Sequence, residues 1–230
     1  MKLGIIIPDR GDRPEFMENC LRMIKHQNGI GSSIEICHAN FQAKDNMVDI
    51  TARYRYGYDY FRGKGFNLLA FIENDDWYSP DYLETMIDAW KRYKEPELFG
   101  TCTTICYHLQ LKSYFTMEHH TRASAMNTFI KPDLEFPWPV DMEPFLDMHL
   151  WEMQRNPIKS RIVFRPEKII SVSMKHGVGK TVDGIGTHVI DDRVRRRYVN
   201  KDVSDDYPNG FLKTVLDPES FEFYDNYFTP

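Results

Sequence analysis

The residues best suited to chemistry are three carboxylates in four positions, Glu73-Asn74-Asp75-Asp76, directly behind the apolar run Leu68-Leu69-Ala70-Phe71-Ile72. At that spacing like charges oppose one another strongly unless a cation lies among them. Hard oxygen ligands favour Mg2+ or Mn2+, ions that commonly bridge protein carboxylates and substrate phosphates. A plainer reading is an acidic turn that leads into a helix start at Ser79-Pro80. The cation is favoured because the acids follow an apolar strand so closely. A second polar cluster, Asp9-Arg10, closes the first apolar run behind Pro8. Further along, Glu143 and Asp147 stand four apart, so on a helix they share a face. Two neighbouring carboxylates raise one pKa, which suits accepting a proton.

Two other stretches bear on function. Gly179-Lys180-Thr181 after a strand has the look of a phosphate loop, but Met174 stands where that motif needs glycine. Gly184 and Gly186 also interrupt the helix that should follow, so the motif is rejected. The run Arg193, Arg195, Arg196, Arg197 reads as a solvated face, a lid over an anionic ligand, or a contact to an anionic acceptor such as nucleic acid.

These residues need a scaffold. Residues 3–7 form a short continuous apolar run, the mark of a strand buried on both faces. Pro14 suits a first helical turn, and Met17, Cys20, Leu21 and Ile24 keep i, i+3, i+4, i+7 spacing up to a stop at Gly29. A second strand at 34–37 completes a strand–helix–strand unit with a parallel crossover. Residues 45–61 read as helix and 68–72 as the most strand-like run. A helix capped by Ser79 then carries Leu83, Met86, Ile87 and Trp90 on one face. Strands are expected at 100–107, 161–164 and 169–174, a helix at 145–153, and loops with edge strands over 108–139. The aromatic and acidic segment 221–228 is expected to pack back onto the domain. In such an open parallel sheet, ligands bind beyond the carboxyl ends of the strands, where both polar clusters fall.

With these elements in order, the segment from Ala70 to Leu83 resembles the donor-site signature of family-2-type glycosyltransferases with the GT-A fold. In that signature an apolar strand runs into an Asp-x-Asp-Asp turn followed by a Ser-Pro-x-Tyr-Leu helix start. Gly4-Ile5-Ile6-Ile7-Pro8, Arg13-Pro14-Glu15-Phe16 and Cys20-Leu21 resemble the same family's first strand and helix, so the likeness spans roughly the first 95 residues. The resemblance implies an α/β GT-A fold with a mostly parallel central sheet flanked by helices. It implies one catalytic domain, with a donor-nucleotide half at 1–100, an acceptor half at 101–190 and a lid or tail at 191–230.

By the same resemblance, Glu73 takes the first acidic position, a departure from the usual Asp, and Asp75 ligates Mn2+ or Mg2+ on the donor diphosphate. Asp76 supports the ligand shell or touches the donor ribose or sugar, and Pro8, Asp9 and Arg10 border the nucleotide. His176 is the candidate third metal ligand with His188 in reserve, and Lys180 lies near the diphosphate. The family's acidic pair before Leu-Trp is best matched by Leu146-Asp147-Met148-His149-Leu150-Trp151, with Asp147 as base and Leu146 where an acid usually stands. Glu143 and Asp141 are its substitutes. The second strand ends Cys37-His38-Ala39-Asn40 rather than in an Asp pair, which leaves the nucleotide unnamed. The implied reaction is inverting transfer of a sugar from a nucleotide-sugar to an acceptor hydroxyl, on a surface glycan or on a modified DNA base.

Composition sets the limits around this reading. With 230 residues, 42% apolar and 27% charged, the chain is globular rather than fibrous or disordered. A net charge of -5 argues against a dedicated nucleic-acid binder. Cys20, Cys37, Cys102 and Cys106 lack the spacing of a zinc site or a disulfide framework and read as free thiols. No run approaches the length of a membrane helix or a signal peptide, which points to the cytoplasm. Two alternatives remain. A sugar nucleotidyltransferase would need a glycine- and basic-rich loop after the first strand, and a non-catalytic nucleotide-sugar-binding module would suit the departures at Glu73 and Leu146.

Overall fold

A computed structural model describes residues 1–29, 33–41, 48–152, 160–177 and 203–227. Its elements run β1 (Lys2–Pro8), α1 (Pro14–Lys25), β2 (Ser33–Ala39), α2 (Ile50–Phe61), β3 (Leu68–Phe71), β4 (Trp77–Tyr78), α3 (Tyr82–Arg92), β5 (Leu98–Thr101) and β6 (Thr103–His108). There follow β7 (Ser113–Glu118), β8 (Thr128–Ile130), α4 (Leu146–Glu152), β9 (Arg161–Phe164), β10 (Ser171–Lys175), β11 (Ser204–Asp205), α5 (Gly210–Val215) and α6 (Pro218–Asn226).

The central sheet has the order β2-β1-β3-β8-β5-β9. Only β8 runs against the others, so the sheet is mostly parallel and the fold is α/β, as expected. Strand alternation divides its side chains between two cores. Leu3, Ile5 and Ile7 of β1, with Leu68 and Ala70 of β3, face the core that takes the buried sides of α1 and α3. Ile6, Leu69 and Phe71 face the opposite core, with Tyr54, Tyr58 and Phe61 of α2 and Leu146, Leu150 and Trp151 of α4. Helices therefore cover both faces. Gly57 lets α2 lie close on β1, because a Cβ there would sit 2.3 Å from Ile6 Cγ2.

The second sheet has the order β11-β7-β6-β10-β4 and contains the strand expected at 169–174 as β10, while β7 and β11 fall in stretches not expected as regular strands. The apolar stretch expected as one strand at 100–107 is broken at Cys102, which sends β5 into the central sheet and β6 into the second. The cause is local: the Cys102 N–H donates to the Phe164 carbonyl and its own carbonyl accepts from His119 N–H, so the chain changes partners there. Ser79 does not cap α3 with its side chain. Its N–H donates to the Ile170 carbonyl, its carbonyl accepts from Tyr82 N–H, and Asp81 stands at the cap position. The C-terminal segment packs back as helix α6, capped by Asp217 accepting from Ser220 N–H, with Phe223 and Tyr227 against Phe16. No described helix is long and apolar enough to cross a membrane.

Candidate functional site

The acidic turn leaves the end of β3 at the middle of the central sheet. Ile72 N–H still donates to the Ile6 carbonyl, 3.1 Å, which holds the chain beside β1 until the turn begins. Glu73 N–H then donates to the Tyr78 hydroxyl at 2.9 Å, and the backbone folds over so that Glu73, Asp75 and Asp76 each offer an oxygen within 4.8 Å of the others. From α2, the Tyr54 hydroxyl donates to Glu73 Oε1 at 3.3 Å. From β10, Met174 N–H donates to Asp76 Oδ1 at 2.7 Å. From α6, the Tyr224 hydroxyl donates to the Asp75 carbonyl at 3.2 Å, and Trp77 Nε1 is tied to Asp217 Oδ2 at 3.1 Å. Three elements distant in sequence thus grip one turn.

Electrostatics at the turn are strained in the direction of excess negative charge. Burial, and then the charge of Asp75, push the Glu73 carboxyl up to about 7, and Lys175 only partly counters this. The same two causes in the same order raise Asp76 well above the carboxylate range. Burial opposes the Lys175 ammonium, yet Asp76, Cys106, Glu73 and Asp75 hold its pKa above the ordinary value. Burial chiefly, helped by these acids, keeps the Tyr54, Tyr78 and Tyr224 hydroxyls neutral. Asp76 is 1% exposed, and its Oδ2 is buried without a hydrogen-bond partner among the described residues. A buried acceptor left unpaired usually signals an ion or water. Three hard-oxygen donors around such an atom fit Mg2+ or Mn2+.

Asp75 has cationic company of another kind. The Arg13 guanidinium reaches Asp75 Oδ2 through NH1 at 2.5 Å, and the same nitrogen lies 2.7 Å from His176 Nε2. His176 is fully buried against Phe16, ring centroids 4.8 Å apart, with Nε2 2.9 Å from Asp75 Oδ2. The structure thus brings the sequence-predicted His176 to Asp75, while the three carboxylates of Glu73, Asp75 and Asp76 form the compact cluster. Burial acts against the Arg13 charge, but Asp75, Asp12 and Asp9 raise its pKa further still.

The strand-end residues of β1 lie next to this turn. Pro8 and Asp9 are buried; Asp9 Oδ1 accepts from Gly11 N–H and from Asn74 Nδ2, both at 3.0 Å, and Oδ2 meets His38 Nε2 at 2.5 Å. Asp9 therefore joins the end of β1 to both β2 and the acidic turn. Arg10 is part-exposed and pairs with Asp49 at 3.0 Å, whose other oxygen holds Arg53 at 2.7 Å. Lys180, His188 and the arginines 193–197 lie outside the described residues.

Asp147 sits in the first turn of α4 in an ion pair with Arg122, and its charge is among those that raise Glu73. Leu146, Leu150 and Trp151 anchor the helix from below, and Trp151 Nε1 donates to Thr128 Oγ1 at 3.0 Å. Glu143 does not share a helical face with Asp147, because α4 begins only at Leu146. Its carboxylate accepts from Phe145 N–H at 3.0 Å and lies 3.2 Å from His149 Nε2, while its carbonyl accepts from Thr51 Oγ1 at 2.7 Å. Asp141 is paired with Arg55 at 2.5 Å and is half exposed.

Arg13, Lys175, Tyr54 and Asn74 were not picked out as site residues. Arg13 meets its carboxylate across 62 positions of sequence and Lys175 is charged against acids on a different strand, so no spacing rule announces either. The one available signal was that Lys175 directly precedes His176.

No protein-family model matches the chain, and no curated protein does. Among solved structures, S. aureus TarS 1–349 in complex with UDP-GlcNAc is similar at 11% identity and a TM-score of 0.48, over 97% of this chain and 78% of that one. The same fragment in complex with UDP gives 10% identity and 0.41, over 96% and 77%. A longer TarS structure gives 10% and 0.43, over 76% of this chain and only 37% of that chain. These likenesses are distant, and the chain's own residues carry the functional reading.

Proposed function

We infer that the chain is a metal-dependent glycosyltransferase of GT-A type that moves a sugar from a nucleotide-sugar to an acceptor hydroxyl with inversion. The observation that carries this reading is the convergence of Glu73, Asp75 and Asp76 beyond the carboxyl end of β3, with one buried oxygen of Asp76 unpaired among the described residues. That is the edge where an open parallel sheet receives its ligand.

Glu73, Asp75 and His176 would hold Mn2+ or Mg2+, with Asp76 completing the shell or touching the donor. The cation supplies positive charge opposite the departing nucleoside diphosphate. Pro8, Asp9 and Arg10 border the nucleotide, and Lys180, outside the described residues, is the candidate contact to the diphosphate. Asp147 accepts the proton of the attacking hydroxyl, oriented by its ion pair to Arg122, and Glu143 is the substitute for that role. The buried Tyr54 and Tyr78 hydroxyls hold Glu73 in place, one through its carboxylate and the other through its backbone N–H. The donor half is 1–100, the acceptor half 101–190 and the lid or tail 191–230, in one cytoplasmic catalytic domain. Acceptors of this class are surface glycans or modified DNA bases.

The test is hydrolysis of a panel of nucleotide-sugars in the presence of Mn2+. At least one donor is expected to be cleaved slowly and to stabilise the fold, and Asp75→Asn should abolish both effects. A flat response to every donor would defeat the reading.

A further inference from the structure

The contact between Arg13, Asp75 and His176 is an unusual one for a structural ion pair. Asp75 Oδ2 and His176 Nε2 stand 2.9 Å apart, and Arg13 NH1 lies 2.5 Å from the first and 2.7 Å from the second. One terminal guanidinium nitrogen carries two hydrogens, enough to give one to Asp75 and, in the tautomer that leaves Nε2 unprotonated, one to His176. A neutral imidazole nitrogen has a single lone pair in the ring plane, so whatever accepts that lone pair excludes any second partner. A hard divalent cation needs the same carboxylate oxygen at about 2.1 Å. Arg13 NH1 therefore sits where a metal shared by Asp75 and His176 would have to sit.

The surroundings keep the guanidinium close without locking it. Its NH2 is 3.5 Å from Asn74 Oδ1, its Nε 3.6 Å from Asp12 Oδ1, and its central carbon 5.9 Å above the Phe16 ring. Each of these is long compared with the two contacts of NH1. The side chain is 15% exposed, so it has a route outward. A guanidinium displaced from a carboxylate finds a matched partner in a phosphate, which it can grip through two N–H groups.

We propose that Arg13 is a placeholder cation: it occupies the Asp75–His176 ligand pair in the resting protein and gives it up when a divalent metal binds, which turns its guanidinium toward the diphosphate of the donor. This rests on the metal reading above. Arg13 is thus a positioning residue that suppresses idle metal binding and couples metal loading to arrival of a phosphate-bearing ligand.

The experiment is a calorimetric titration of the whole chain with Mn2+ alone, at fixed pH, for the wild type, Arg13→Met, Arg13→Lys and Asp75→Asn. Arg13→Met removes the competing charge at similar length and is expected to bind Mn2+ about tenfold more tightly. Arg13→Lys, which keeps a cation, should stay near the wild type, and Asp75→Asn should bind little. Equal or weaker binding by Arg13→Met, with the wild type still binding, overturns the placeholder role and leaves the metal site standing. Absence of binding in both overturns the metal reading as well. Should Arg13→Met not fold, the wild type itself decides by NMR. Titration with Mg2+ is expected to move the Arg13 side-chain N–H resonance, and an unmoved resonance at metal saturation overturns the proposal.

Discussion

Raising the pH from about 5 to neutrality should destabilise the metal-free protein, and a divalent cation should cancel the effect. Glu73 is the group that sets the window. Its carboxyl is held at about 7 in the folded chain against an ordinary 4.5. Between these values the native state keeps a proton that the unfolded chain has released. The native state therefore binds more protons there, and stability falls as pH rises through the window. The full gap corresponds to about 3 kcal/mol at 1.36 kcal/mol per pH unit. Solvent at the half-buried carboxylate reduces this to on the order of 2 kcal/mol. For a chain of this size that is a drop in Tm of roughly 4–8 °C between pH 5 and pH 8. Cation binding requires the ionised carboxylate, so Mn2+ should stabilise little at pH 5 and most at pH 8. Differential scanning fluorimetry over a pH series, with and without saturating Mn2+, measures both slopes. The Glu73→Gln variant supplies the baseline, since it lacks the titrating group while other ionisable groups continue to contribute. The reasoning is refuted if wild type and Glu73→Gln lose the same stability over this range, or if the Mn2+ shift is the same at both ends.

Two further predictions address the acceptor side and the scaffold. Asp147→Ala should lower the transfer rate at least about a hundredfold, the usual contribution of a general base, while donor KM and Mn2+ affinity stay near the wild-type values; steady-state kinetics with a cognate acceptor separate these quantities. Gly57→Ala places a Cβ 2.3 Å from Ile6 Cγ2 and should destabilise by about 1–3 kcal/mol despite alanine's better helix propensity, readable as a lower denaturation midpoint with an unchanged m-value.

Much of the scaffold was written in local pattern. The alternation of Leu3, Ile5 and Ile7 against Ile6, and the spacing of Met17, Cys20 and Ile24, depend only on which neighbours a strand or helix presents together, so period alone located β1 and α1. The acidic turn was legible for the same reason, as its three acids are adjacent in sequence and their repulsion is a local fact. Where a stretch changes partners, local pattern loses its hold. The apolar run around Cys102 looks continuous, yet hydrogen bonds to Phe164 and His119 split it between two sheets.

Local chemistry alone established that a carboxylate cluster ends a buried strand, and hence that the chain has an electrostatic problem there to solve. Only the tertiary structure decided how it is solved. Burial turns Glu73 into a group that titrates near neutrality, Met174 satisfies one oxygen of Asp76 while the other has no partner among the described residues, and Arg13 and His176 arrive on Asp75 from positions far apart in the sequence. Desolvation and through-space charge depend on what folds over a residue rather than on what precedes it in the chain, and no sequence period encodes either.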